Sequence, residues 1–274
     1  MRLRVFAILT TCGFLIFAFT MTFVPLMPAW ANYATRAGLL VVLGALWWVA
    51  RDGYRLSRFR PVFFAYFTAV VGLSLGFFLA DPGLKLLGLT TQTPIGIAVA
   101  KLLQASLIVI GILAVARICG ESSASLYIRK GRLILGLSVG VITAAALLVL
   151  SLLQPAVRAL GSAKFMSLAP WILLFVVSNA FMEELLFRGL FLGRYEPLIG
   201  RWPAVLSTGL AFTLAHMQVT YAPALLVFLV VTFGFSIAWG WLMQKTESLW
   251  GSVVFHAGAD LLIILPIFSS LGAA

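Results

Sequence analysis

The chain has 274 residues, of which 62% are hydrophobic and only 10% are charged. Because a soluble domain carries about 25% charged residues, this composition excludes a large soluble domain and predicts a multi-pass protein of the cell membrane. The apolar runs are long and lack the period-two alternation of barrel strands, so we predict an all-α bundle of transmembrane helices. The net charge of +11 does not indicate a nucleic-acid partner, because the basic residues lie in short loops between the apolar runs.

Nine apolar segments are candidate membrane spans, and we predict eight to nine transmembrane helices. The second and seventh segments are short for a hydrocarbon core of about 30 Å. In chain order the segments are about 5–27, 38–50, 61–80, 95–116, 133–153, 169–190, 203–218, 222–243 and 249–270.

The distribution of Lys and Arg predicts a cytoplasmic N-terminus, because the loops with more basic residues stay in the cytoplasm. With this orientation the cytoplasmic segments contain 13 basic residues: Arg2, Arg4, Arg51, Arg55, Arg58, Arg60, Arg117, Arg129, Lys130, Arg132, Arg194, Arg201 and Lys245. The opposite side has 4, namely Arg36, Lys85, Arg158 and Lys164, while Lys101 and Arg188 fall within spans.

Three charged side chains interrupt the apolar run at about 169–192: Glu183, Glu184 and Arg188. A single charge at the centre of a bilayer costs roughly 3 kcal/mol on insertion scales. These groups must therefore pair with polar partners or line a water-filled cavity. The sequence contains only two histidines, His216 and His256, and both fall within later predicted spans.

The spacing of the polar residues in these late spans predicts a composite site within the membrane. Residues four apart share a helix face, so Glu184 lies over Arg188, Phe212 lies over His216, and His256 lies over Asp260. The interiors of the first five spans contain almost no ionisable groups. Three polar clusters on three late helices are what a site assembled between helices requires.

Three motifs in this order resemble those of the CAAX prenyl-protease and bacteriocin-processing family (CPBP, or Abi): Glu183-Glu184-x-x-x-Arg188, Phe212-x-x-x-His216 and His256-x-x-x-Asp260. The resemblance covers roughly residues 165–270. It implies an all-helical membrane bundle and endoproteolysis of a membrane-associated or lipidated peptide or protein substrate, surrounded by membrane lipids. On this basis we expect residues 1–160 to form variable N-terminal helices and residues 161–274 to form the catalytic core.

The resemblance also implies roles for individual residues. Glu183 would be the general base and would activate a water molecule together with His216. His256 and Asp260 would polarise the substrate carbonyl group or hold a metal ion. Arg188 would pair with Glu184 and keep the carboxylate-bearing helix in place.

Asp260 departs from the commoner family pattern, in which many members have asparagine. An asparagine amide can donate a hydrogen bond to an oxyanion, whereas an ionised aspartate cannot. Asp260 must therefore be protonated, orient His256, or ligate a metal ion. Two histidines and two carboxylates (Glu183, His216, His256 and Asp260) are an adequate ligand set for zinc or another divalent metal. Metal-assisted and metal-free mechanisms both stay open.

Two other classes of function are compatible with the same residues. A proton-coupled transporter could use the ionisable cluster as a proton relay. A non-catalytic immunity or scaffold protein could keep the family fold without the reaction.

Overall fold

The computed structural model of the chain describes residues 2–51, 56–222 and 224–271, which form helices joined by short connections. The helices are α1 Arg2–Phe17, α2 Ala29–Val49, α3 Arg60–Leu86, α4 Pro94–Ile118, α5 Leu133–Leu152, α6 Pro155–Arg158, α7 Ser162–Glu184, α8 Leu192–Ile199, α9 Arg201–Ala215, α10 Leu225–Thr246 and α11 Trp250–Leu271. Two π-helical segments, Ala18–Thr22 and Leu185–Gly189, continue α1 and α7. This architecture confirms the predicted all-α membrane bundle.

Each of the nine predicted spans coincides with one of the longer helices. Within the described ranges, 7 helices are long and apolar enough to cross a membrane. The two that do not qualify are α2 and α9, the two segments that we expected to be short. Helix α9 has only 15 residues, whereas α2 has 21 and carries Asn32 and Arg36 in its first half. The count of spans is thus seven by this criterion, lower than the eight to nine expected.

The loops that we predicted to be cytoplasmic lie together at one end of the bundle. The backbone N–H of Arg132 donates to the carbonyl oxygen of Thr246 at 2.7 Å, and that of Leu249 donates to Tyr127 at 2.9 Å. Arg129 also forms an ion pair with Glu247 at 3.1 Å. This arrangement places several basic loops on one side, as the predicted orientation requires.

One basic residue is not where we expected it. We predicted Arg36 in a loop on the opposite side, but it lies within α2 and is 1% exposed. Its guanidinium donates to the carbonyl oxygen of Thr20 at 2.7 Å. The continuous apolar run begins only after Arg36 and predicted a span from residue 38, whereas the helix begins at Ala29. Arg55 lies outside the described residues.

Close backbone contact between α5 and α11 fixes the helix that carries His256. A Cβ atom added to Gly251 would lie 2.5 Å from the carbonyl oxygen of Gly136. One added to Gly258 would lie 2.5 Å from the Cα of Ala144. Small residues at such crossings let membrane helices approach closely enough for van der Waals contact along their length. Helix α11 is therefore held tightly against α5 on the side away from the site.

The N-terminal helices pack against the motif-bearing helices in a common core. The hydroxyl groups of Tyr66 on α3 and Tyr195 on α8 lie 2.8 Å apart. Thr10 on α1 donates to Ser207 on α9 at 2.8 Å. These polar contacts between helices hold α8 and α9 in place, and α9 leads directly to His216.

Candidate active site

The two adjacent glutamates end helix α7 and point in different directions. Glu183 and Glu184 are 6% and 0% exposed. A π-helical turn follows at Leu185–Gly189, in which the N–H of Leu190 bonds to the carbonyl oxygen of Leu185 at 2.9 Å. Such π-helical turns are rare in proteins overall, and those that occur are often found at functional sites. Glu183 lines a cavity, whereas Glu184 points into the packed interior.

Glu184 is held by two donors on the same oxygen. Its Oε1 accepts from Arg188 Nη1 and from His256 Nδ1, both at 2.8 Å. Arg188 Nη2 donates in addition to the hydroxyl and the carbonyl oxygen of Ser236 on α10. Arg188 is 0% exposed, and Phe212 lies 4.5 Å from its guanidinium carbon. This buried network connects α7, α10 and α11.

His256 lies at the centre of the site and is 2% exposed. An ionised carboxylate can only accept, so the hydrogen shared with Glu184 belongs to Nδ1. The other ring nitrogen, Nε2, lies 3.4 Å from Glu183 Oε2 and 3.6 Å from Asp260 Oδ1. His256 thus connects the interior network to the carboxylates of the cavity.

Asp260 is itself oriented by an amide. Asn179 Nδ2 on α7 donates to Asp260 Oδ2 on α11 at 3.0 Å. Asn179 and Asp260 are 7% and 9% exposed, and both line the cavity. Asn179 lies one helical turn before Glu183, so the amide, the carboxylate and the imidazole face the same space.

Two aromatic rings enclose the imidazole of His256. Trp239 on α10 stacks on it with ring centroids 3.8 Å apart, and Phe212 meets it edge-on at 5.7 Å. Trp239 is 2% exposed and packs within the site, whereas Trp241 on the same helix is 44% exposed.

His216 lies at the C-terminal end of α9 and is half-buried. Its Nδ1 lies 2.8 Å from the carbonyl oxygen of Phe212, which can only accept a hydrogen bond. The hydrogen therefore resides on Nδ1, and in the neutral ring Nε2 keeps its lone pair. The ring of Phe212 lies 4.5 Å from His216, so Phe212 contacts both imidazoles of the chain.

These groups surround a cavity of about 440 Å³ between α4, α7, α9, α10 and α11. Its polar lining residues are Lys101, Asn179, Glu183, His216, Tyr221, Thr232, His256 and Asp260. The rest of the lining is mainly apolar and includes Phe175, Ile263 and Ile267. Glu184 and Arg188, which we also predicted at the site, do not line the cavity. Glu184 instead holds the ring of His256, and Arg188 holds Glu184.

The four candidate metal ligands were Glu183, His216, His256 and Asp260. Within the described part of the chain, no group of three or more His, Cys, Asp or Glu side chains is arranged to hold a metal ion. Both histidines use Nδ1 in hydrogen bonds, to Glu184 and to the Phe212 carbonyl oxygen, so only Nε2 of each ring is left to bind a ligand. Because these side chains form no metal-binding group in the described arrangement, the mechanism below is derived for the protein's own side chains.

Fold and site together define a multi-pass integral membrane protein with a buried, cavity-facing cluster of carboxylates and imidazoles. Residues 165–262 match the family model of type II CAAX prenyl endopeptidases, Rce1-like. The matched segment contains all three motifs and confirms the resemblance predicted from them. This similarity supports intramembrane endopeptidase activity. No curated protein and no solved structure is matched by the chain.

Proposed function

We propose that the protein is an intramembrane endopeptidase in which Glu183 activates a water molecule to hydrolyse a peptide bond. The substrate is a membrane-associated or lipidated peptide or protein that enters the cavity between α4, α7, α10 and α11. One observation carries the proposal: Glu183, His216 and His256 line one cavity of about 440 Å³ that also has apolar walls. Such a cavity can hold both water and an apolar peptide segment.

In the first step a water molecule lies between Glu183 and His216. The lone pair on His216 Nε2 accepts one hydrogen bond, and Glu183 takes the other proton as general base. The oxygen attacks the carbonyl carbon of the scissile bond and forms a tetrahedral intermediate. General base catalysis of this kind contributes about 10²- to 10⁴-fold to a rate.

In the second step His256 is an imidazolium with both ring nitrogens protonated, and it stabilises the negative oxygen of the intermediate by donating from Nε2. The Glu184 carboxylate fixes the ring orientation through Nδ1, and Arg188 fixes Glu184 in turn. The carbon–nitrogen bond then breaks, and Glu183 returns its proton to the leaving amine. The products are a carboxylic acid and a free amine, so atoms and charges balance.

In our proposal Asn179 supplies the hydrogen-bond donor to the oxyanion that residue 260 lacks. An ionised aspartate at position 260 cannot donate to an oxyanion. Asn179 donates one of its two N–H groups to Asp260 and lines the same cavity. In our proposal its second N–H group assists His256 at the oxyanion, while Asp260 keeps the amide oriented.

The test is a cleavage assay in proteoliposomes with a library of N-palmitoylated peptides, analysed by mass spectrometry. We expect the wild type to cleave a subset of peptides and Glu183→Gln, His216→Ala and His256→Ala each to abolish cleavage. The matched control is Asp81→Asn, which removes a carboxylate that is 67% exposed and forms an ion pair with Lys85.

Two results would contradict the proposal. Full activity of Glu183→Gln would exclude Glu183 as the base. Complete absence of cleavage, combined with proton flux that Glu183→Gln removes, would favour a proton-coupled carrier instead.

A further inference from the structure

A lysine on the wall of the catalytic cavity has no role in the reaction described above. Lys101 lies on α4, seven residues after its first residue Pro94, and is half-buried. At 1.5 Å per residue this places it about 10 Å along the helix from that end. It lines the same cavity as Glu183 and His256.

The ammonium group of Lys101 has one hydrogen bond and no direct ion pair among the described residues. Its Nζ donates to Gln104 Oε1 at 2.9 Å and lies 5.6 Å from the ring centroid of Phe175. Among the described residues, no carboxylate lies within the 4.0 Å that defines an ion pair with Lys101. An ionisable side chain inside a membrane span usually marks the path or the site of a ligand.

We infer that Lys101 binds a carboxylate group of the peptide substrate while the scissile bond lies at Glu183. This inference rests on the proposed peptidase function. A peptide offers a carboxylate either at its C-terminus or on an Asp or Glu side chain. Either carboxylate would form the same ion pair with Lys101. It would replace the hydrogen bonds to water that the ammonium group loses within the cavity.

The position of Lys101 suits this role. Its ammonium group lies 5.6 Å from the ring centroid of Phe175, and the apolar Ile263 and Ile267 line the same cavity. Because Lys101 and Glu183 line one cavity, the bound carboxylate and the scissile bond would belong to one short stretch of the same peptide. Apolar side chains of that stretch would contact the isoleucines, and the carboxylate would determine which bond reaches Glu183.

A different role for Lys101 would be to balance the charge of the catalytic carboxylates. Lys101 is close enough to Glu183 and Asp260 to influence both electrostatically. A group with this role would affect all substrates equally, whether or not they carry a carboxylate. A carboxylate-binding group would affect only the acidic ones, so the two roles predict different outcomes.

The experiment compares paired forms of the palmitoylated peptide library: free-acid C-termini, amidated C-termini, and Asp and Glu replaced by Asn and Gln. In wild type we expect the acidic forms to have the lower KM. We expect Lys101→Met to raise the KM of acidic peptides about tenfold or more, as loss of a charged hydrogen bond does, and to leave neutral peptides within about twofold. Lys101→Arg keeps a positive charge and should retain most of the preference.

The amidated set and the Asn/Gln set distinguish the two sources of the carboxylate. If only amidation abolishes the preference, Lys101 binds the C-terminus; if only side-chain neutralisation does, it binds Asp or Glu. The control is Lys164→Met, which removes an exposed lysine near the start of α7. Equal effects of Lys101→Met on acidic and neutral peptides would overturn the inference.

A binding measurement separates this inference from the proposed function. The acid and amide libraries are mixed in equal amounts and captured on the Glu183→Gln protein, with and without Lys101→Met. We expect the retained peptides to be enriched in acids only when Lys101 is present. Acid enrichment without any cleavage by wild type would contradict the peptidase proposal alone, and cleavage without acid enrichment would contradict the role of Lys101 alone.

Discussion

The indole of Trp239 lies flat against the imidazole of His256, with ring centroids 3.8 Å apart and ring planes 7° apart. Trp239 does not touch the substrate in our mechanism and acts as a positioning residue. Its Nε1 has no hydrogen-bond partner among the described residues, so the indole acts through its ring faces, against His256 and 5.3 Å from the Arg188 guanidinium carbon. Stacked aromatic pairs contribute about 0.5–1.5 kcal/mol beyond the area they bury.

We therefore expect Trp239→Leu to lower kcat by about tenfold with little change in KM, because His256 then samples other orientations. Trp239→Phe keeps a ring face against the imidazole and should retain most of kcat. The measurement is steady-state cleavage of the best library peptide. If Trp239→Phe and Trp239→Leu reduce kcat equally, stacking is not the cause.

We expect substitution of Glu183 to lower catalysis and substitution of the neighbouring Glu184 to lower stability. Glu183→Gln removes the general base but leaves the network of Glu184, Arg188 and His256 in place. We expect cleavage to fall by about 10²- to 10⁴-fold with nearly unchanged thermal stability. Glu184→Gln leaves the buried charge of Arg188 without its partner and should destabilise the fold by about 3–5 kcal/mol.

Thermal unfolding in detergent and cleavage in proteoliposomes measure the two effects separately. The control for the ion pair is the double variant Glu184→Gln with Arg188→Met. Replacing both partners of a buried pair is often nearly neutral for stability, so the double variant should be more stable than Glu184→Gln alone. A stable Glu184→Gln protein would show that Arg188 does not depend on this carboxylate.

The hydrogen bond between Asn179 and Asp260 can be tested by exchanging the two residues. Asn179→Asp places two carboxylates against each other, at a pair whose atoms now lie 3.0 Å apart, and should lower cleavage by about 10²-fold or more. Adding Asp260→Asn restores one amide and one carboxylate at the same contact. We expect the exchanged protein to recover to within about tenfold of wild type.

The single variant Asp260→Asn completes this set. This variant has asparagine at position 260, as many members of the family that the motifs resemble do. We expect the variant to retain activity. Cleavage rates of all four proteins form a double-mutant cycle, which measures the coupling between the two positions. Independent effects of the two substitutions would contradict a shared oxyanion role.

The sequence was sufficient to predict the helices and two of the contacts in the site. Long apolar runs must be helical within a membrane, so each predicted span coincides with a helix. The four-residue spacing of Glu184 and Arg188 predicted the ion pair at 2.8 Å. The same spacing placed His256 and Asp260 on one helix face, and His256 Nε2 lies 3.6 Å from Asp260 Oδ1.

Other site residues could not be identified in this way. Helix α10 is apolar on nearly every side, so its sequence has no periodicity that would indicate which face contacts the site. Trp239 and Ser236 were therefore indistinguishable from residues that face lipid. Lys101 was visible as a charge within a span, but the sequence analysis assigned it no role at the site. Its proximity to Glu183 depends on the packing of α4 against α7, which no local pattern encodes.

The predicted orientation of the chain can be tested with single cysteines. The protein has two free cysteines, Cys12 and Cys119, which are replaced by serine before labelling. Lys130→Cys and Lys164→Cys then introduce exposed thiols, in the loop before α5 and near the start of α7. We expect a membrane-impermeant maleimide to label Lys164→Cys in intact cells and Lys130→Cys only after permeabilisation, because the basic loops are cytoplasmic.

A third variant, Lys85→Cys, serves as the control for this assignment. Lys85 is exposed in the last turn of α3, just before α4 begins at Pro94. It should label like Lys164→Cys, since we predicted both residues on the side opposite the basic loops. With that result, the half of α4 that carries Lys101 lies nearer the non-cytoplasmic surface. Labelling of Lys130→Cys in intact cells would reverse the orientation and place Lys101 nearer the cytoplasm instead.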